Sequence, residues 1–114
     1  MALPARIPKK AKRDSRWRSP GHCNHVRGFA CSICGSMTAI EVAHVRMGSG
    51  AGMGQKPDDW RTVSLCAEHH QRQHNIGEIS FWRGVDVEAL IAAFIASSPR
   101  RAEIARAQRE KALG

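Results

Sequence analysis

The stretch CAEHHQRQH, residues 66–74, sets Cys66, His69, His70 and His74 within nine positions. All four are metal-ligand types, so the spacing asks whether they serve one ion, two or none. A second ligand pair stands upstream, Cys31 and Cys34 in CSICG, with 31 residues between the two pairs. A closed zinc site takes four nitrogen or sulfur ligands, and two ligands separated by two residues can be presented to one ion by a tight knuckle or a single helical turn. Cys31 with Cys34, and Cys66 with His69, therefore read as a structural Zn2+ site. Such pairs in a reducing compartment are better explained by a metal than by disulfides. Ordinary buried cysteines are the alternative, and that reading leaves CSICG without a reason.

His70 also lies within a helical turn of Cys66, so the choice of histidine needs an argument. Successive residues on a helix diverge by about 100°, whereas residues four apart share a face. His69 and His70 cannot both face one ion, but His70 and His74 can act together. Giving His69 to the zinc leaves that matched pair to present two imidazoles to something else. One zinc with surface histidines remains the simpler division. A zinc finger of the transcription-factor sort is excluded, because the next histidine after Cys34 is His44, alone and too close.

Elements that would hold these residues follow from the local pattern. Residues 25–35 read as a strand turning at a cysteine knuckle, with Gly35 giving the backbone its freedom. Residues 38–45 alternate as a first strand ending near His44, and residues 58–66 carry the β character of a second. Between them lies MGSGAGMGQKP, either a plain connector or a place where a backbone must approach closely. The quoted stretch reads as a short helix ending near Gly77. Apolar spacing over 85–96 predicts another helix with Asp86 as N-cap, and Ser98–Pro99 opens a basic last helix. Trp60 and Trp82 are expected to cover the core. The fold class is α+β, a small zinc-stapled domain over 21–96 with a basic, flexible arm over 1–20 and a C-terminal helix over 97–114.

The chain of 114 residues carries a formal charge of +8, and 13 of its 18 cations are Arg. Such an excess points to a polyanion, and Arg suits bidentate contact with phosphate, although a GC-rich genome gives the same bias. The arm holds Arg6, Lys9, Lys10, Lys12, Arg13, Arg16 and Arg18 against Asp14; contact with DNA phosphates by Lys9, Lys10, Lys12 and Arg13 is expected, with a solvated tail as the alternative. Trp17 either stacks on a base or anchors the arm. No signal peptide or membrane-spanning run is evident, so a cytoplasmic protein with no membrane partner is expected. Whether it forms a homodimer is left open.

In combination, CSIC, AHV, DDWRTVSLC and EHHQRQH resemble the HNH (His-Me finger, ββα-metal) nucleases, above all the small phage and prophage type with a structural zinc. The likeness spans about residues 25–95. It implies a metal-dependent endonuclease that hydrolyses DNA phosphodiester bonds, associated with the nucleoid and encoded by phage or prophage in a bacterial host. Carried over, Cys31, Cys34, Cys66 and His69 match the zinc ligands, His44 the general base and Asp59 the residue that orients it. His70 matches a ligand of the catalytic divalent ion and His74 an additional histidine beside it. Imidazole ligands suit Mn2+, Ni2+ or Zn2+ at least as well as Mg2+.

Many members carry a further metal ligand just before the base, where this chain has Ala43. Glu41 is expected to reach the ion only by bending off its strand face. Arg46 and Lys56 flank the glycine loop and are expected to hold phosphates, with two solvated cations as the alternative. Cys23 reads as a free, partly buried thiol, and His22 and His25 take no derived role. Two alternatives to the nuclease share its fold: a zinc-stapled DNA-binding module without cleavage, and an accessory protein of phage recombination or packaging. The preferred DNA structure or sequence is not legible.

Overall fold

The computed structural model describes residues 2–7, 16–51 and 55–113. Its elements are α1 (Pro20–Arg27), β1 (Ile40–His44), β2 (Thr62–Cys66), α2 (Ala67–Ile76), α3 (Glu78–Phe81), α4 (Val87–Ser97) and α5 (Arg101–Leu113). The fold is α+β. β1 and β2 form a two-stranded antiparallel sheet in which Glu41 faces Leu65, Ala43 faces Val63 and His44 faces Thr62.

Two strands cannot hold themselves together in water. Here α1, α2 and α4 pack against the hairpin. β2 is buried along its whole length, and β1 turns Ala43 into the core while His44 stays partly accessible. Val26, Val45, Val63, Leu65, Trp82, Val87, Ile91 and Phe94 join Ala43, Cys31 and Cys66 in one apolar cluster. Trp82 therefore belongs to that core. Trp60 is buried apart from it, 5.6 Å from the Trp17 ring and beneath the Lys111 ammonium. Trp17 is an anchor: its N–H donates to Asp58 at 2.7 Å, and its carbonyl accepts from the Asp59 N–H at 2.9 Å.

The strand expected over 25–35 is not formed. Ser19 accepts from the His22 N–H at 3.1 Å and Pro20 occupies the first turn, so the chain enters a helix that runs through Arg27. Ser followed by Pro is a helix start whose missing N–H costs nothing at that position. After Gly28 the knuckle docks on β2 by isolated hydrogen bonds, Ser32 N–H to the Ser64 carbonyl at 2.9 Å and Ser64 hydroxyl to the Ala30 carbonyl at 2.7 Å. Of the later helices, α4 lies where the apolar spacing places it, α3 falls where no element was expected, and α5 begins at Arg101, after a turn at Pro99–Arg100, instead of at Pro99. Asp86 accepts from the Ala89 N–H, and α2 stops at Gly77, whose φ of 83° lies in the left-handed region where a Cβ is strained.

His22 is fully buried, its Nδ1 2.8 Å from the Ser98 hydroxyl while Nε2 has no partner among the described residues. Burial and the neighbouring His25 lower its pKa, against a smaller opposing pull from Asp59. A histidine whose folded pKa is depressed takes up its proton more readily when unfolded. Its contribution is intact above the unfolded value of about 6.5 and is lost as pH falls from there through the folded pKa. Denaturant midpoints measured at pH 7.5 and 5.5 should thus fall more in the wild type than in His22→Gln; equal falls would remove His22 from the acid response.

Candidate active site

Cys31, Cys34, Cys66 and His69 bring one ligand atom each to within 4.8 Å of one another, a group able to hold a metal ion such as zinc. His69 Nδ1 lies 3.2 Å from Cys66 Sγ and 3.7 Å from Cys31 Sγ, and Cys34 Sγ lies 3.9 Å from Cys66 Sγ. The knuckle between α1 and β1 supplies two of these ligands, and the junction of β2 with α2 supplies the others. Burial pushes the Cys31 thiol up, but N–H groups of Cys34, Cys66 and Ile33 outweigh it and bring the pKa to about 6. The Ser36 N–H favours the Cys34 thiolate, yet burial and the Cys31 and Cys66 thiols leave its pKa raised. Converging thiols that resist joint ionisation are relieved by a cation, and a set of three sulfurs and one imidazole suits zinc.

At the opposite end of the hairpin from Cys66, His44 Nε2 is 2.8 Å from Asp59 Oδ1. The second carboxylate oxygen accepts from the Ser19 N–H at 2.7 Å, and Arg18 lies 3.5 Å from the first. Burial by itself would raise the Asp59 pKa; the His44 ring, the Ser19 N–H and the Arg18 charge together hold it below its ordinary value. An ionised carboxylate only accepts, so the His44 proton sits on Nε2 and the lone pair on Nδ1. An imidazole held in that tautomer can take a proton from water. Gln73 steadies the backbone here, donating to the His44 carbonyl at 3.3 Å and to Glu78 at 3.2 Å. Glu78 in turn accepts from the Arg46 and Met47 N–H groups, both at 2.8 Å.

His70 and His74 share the outer face of α2, their Nε2 atoms 3.2 Å apart. Two nitrogens bound at about 2.0–2.1 Å to one tetrahedral ion lie about 3.3 Å apart, so this pair fits a divalent cation. Glu41 Oε1 is 2.8 Å from His70 Nδ1. Glu41 thus reaches α2 from the start of β1, the approach for which it was expected to leave its strand face. Ala43 is fully buried, so no ligand comes from that position.

His44, Asp59, Glu41, His70 and His74 line one cleft of about 560 Å³, together with Arg27, Arg46, Lys56 and Cys23. Of the residues expected to contact phosphates, Arg46 and Lys56 border this cleft, whereas Lys9, Lys10, Lys12 and Arg13 lie outside the described residues. Burial and the Asp59 carboxylate push the Cys23 thiol up to about 11, a poor ligand or nucleophile. Sequence reasoning did not single out Arg27, Gln73 or the Ser19 N–H. The Ser19–Pro20 cap was a readable signal for the last, since it brings that backbone onto a defined helix start. Gln73 is a buried polar residue on the inner face of α2, a position whose meaning depends on what packs opposite.

No described helix is long and apolar enough to cross a membrane. A family model described as "Protein of unknown function (DUF968)" matches residues 3–83. No curated protein and no solved structure matches the chain.

Proposed function

We propose that this chain, which belongs to the DUF968 family, is a metal-dependent endonuclease that hydrolyses DNA phosphodiester bonds. The observation that carries the reading is the presence, in the lining of one cleft, of both the His44–Asp59 pair and the His70–His74 pair. An oriented base and a cation-ready imidazole pair, 26 residues apart in sequence between His44 and His70, are what phosphoryl hydrolysis needs together. The order β1, β2, α2 and the ligand set support placing the domain in the ββα-metal, HNH-type class, with a structural zinc on Cys31, Cys34, Cys66 and His69.

In this reading His44 Nδ1 takes a proton from a water as its oxygen bonds to phosphorus and the bond to the 3′-oxygen breaks. The departing 3′-oxygen takes a proton from solvent and His44 later returns its own to solvent, so the products are a 5′-phosphate and a 3′-hydroxyl. Asp59 keeps the ring in the productive tautomer and stabilises the imidazolium that forms. Arg27, Arg46 and Lys56 offer cations to the phosphate oxygens around the scissile bond. His70 and His74 would hold a divalent ion, which would supply charge neutralisation for the hydrolysis. Mn2+, Ni2+ or Zn2+ suit imidazoles better than Mg2+ does.

The test is nicking of supercoiled plasmid by the full chain with Mn2+, Ni2+ or Mg2+ added. His44→Ala should lower the rate by about 10²–10⁴-fold, the range for a lost general base. Nicking that survives this change unaltered sinks the assignment. Ala43 favours a second reading, a zinc-stapled DNA-binding module without cleavage, because the usual additional ligand position is apolar and buried. Salt-sensitive DNA binding without nicking under any ion would favour it.

A further inference from the structure

We propose that Glu41 is a positioning residue that readies His70 for the divalent ion, an inference that rests on the metal-dependent reading above. Three observations lead to it. Glu41 Oε1 lies 2.8 Å from His70 Nδ1. The other nitrogen of the same ring, Nε2, lies 3.2 Å from His74 Nε2. Glu41 and His70 come from different elements, β1 and α2, and both line the cleft that holds His44.

A neutral imidazole has one N–H and one lone pair, and the partner of one nitrogen decides the state of the other. The Glu41 carboxylate accepts, so it draws the proton to Nδ1 and leaves the Nε2 lone pair aimed toward His74. Without that acceptor, the proton can move to Nε2 and be donated across the 3.2 Å gap to His74 Nε2. Two lone pairs then no longer converge. Carboxylates behind ligating histidines fix the ring in this way and raise its basicity, and their loss typically weakens metal affinity about 10–100-fold. Glu41 also puts a negative charge beside a ligand pair that has none of its own. The chain thereby recovers, one step removed from the ion, some of what Ala43 does not provide. The competing account is an ordinary exposed ion pair, which would add little to stability and nothing to ion affinity.

The experiment uses the full chain with its cysteine site loaded with zinc, titrated calorimetrically with Ni2+ in the absence of DNA. The wild type should bind a further ion that His74→Ala abolishes. Glu41→Ala should weaken that binding about 10–100-fold, and Glu41→Gln, which keeps an acceptor but not the charge, should fall between. A second readout needs no ion: histidine ¹⁵N shifts should report His70 protonated on Nδ1 in the wild type and a mixture of tautomers in Glu41→Ala. Wild-type Ni2+ affinity in Glu41→Ala, alongside loss in His74→Ala, would overturn the role of Glu41 and leave the nuclease reading standing. If no further ion binds, or if His70→Ala and His74→Ala leave binding intact, the ion site of the proposed function fails and this inference fails with it. An Nε2–H tautomer of His70 in the wild type also overturns it.

Discussion

Replacing Cys66 with Ser, or stripping the cysteine site with a chelator, is expected to abolish cooperative unfolding of the domain and collapse its helical circular dichroism. The argument is one of magnitudes. A structural zinc contributes about 10–16 kcal/mol in small metal-folded peptides, while a whole domain is stable by only about 5–15 kcal/mol. Here the ion would sit in the thinnest part of the fold. Cys31 and Cys66 are themselves members of the apolar cluster, and beyond them the hairpin offers just two strands for the helices to cover. Cys66 is also the N-cap residue of α2 and makes no side-chain capping bond there; apart from the peptide bond to β2 and the Ala67 N–H donating to the Ala39 carbonyl at 2.9 Å, the ion would be the tether of that helix end. With the ion gone, α2 would lose its tether and take His70, His74 and Gln73 with it. Cys23→Ser is the control, since that thiol is free, half-buried and outside the cluster; it should shift the denaturant midpoint by no more than about 1 kcal/mol equivalent. A chelated protein whose dichroism and midpoint are unchanged would show that the core stands without metal.

The hairpin, α2 and the division of its histidines were readable because each rests on a period. Alternation marks β1, and the 100° step separates His69 from His70 however the helix is packed. α1 was readable too, from the same Ser–Pro signal that marks residues 98–99, but the Val26 and Phe29 side chains near the knuckle mimic a strand. What could not be read is partnership across elements. Asp58 and Asp59 are neighbours of the same type, yet Asp58 is claimed by the Trp17 N–H, Arg16 and Lys111, and Asp59 by His44 and the Ser19 N–H. No local rule separates them; the resemblance chose Asp59, and only the folded chain shows what each one touches. For Glu41, alternation sets only the condition that it leave its strand face, and that it then meets the His70 ring is seen only in the folded chain.

That division of labour gives a sharp expectation for Asp59→Asn. The amide must place one oxygen and one NH2 where two carboxylate oxygens were. The Ser19 N–H, 2.7 Å away, requires the oxygen on its side. The NH2 is then turned toward His44 Nε2, which must give up its proton and accept instead. The ring is left protonated on Nδ1, the nitrogen that should act as base. In a comparable triad the same substitution costs about 10⁴-fold in kcat with geometry preserved. A loss of about 10²–10⁴-fold in plasmid nicking is expected here, with KM for DNA changed only a few-fold, because the cleft cations Arg27, Arg46 and Lys56 are untouched. Asp58→Asn should behave in the opposite sense. Its carboxylate is 1% exposed and holds the Trp17 N–H, Arg16 and Lys111, residues that are not among those lining the His44 cleft, so stability should drop by about 1–3 kcal/mol while the rate per folded molecule stays near wild type. If Asp59→Asn nicks within tenfold of the wild type, or if the two variants lose the same activity for the same loss of stability, Asp59 is a scaffold residue like its neighbour and His44 is not held as a base.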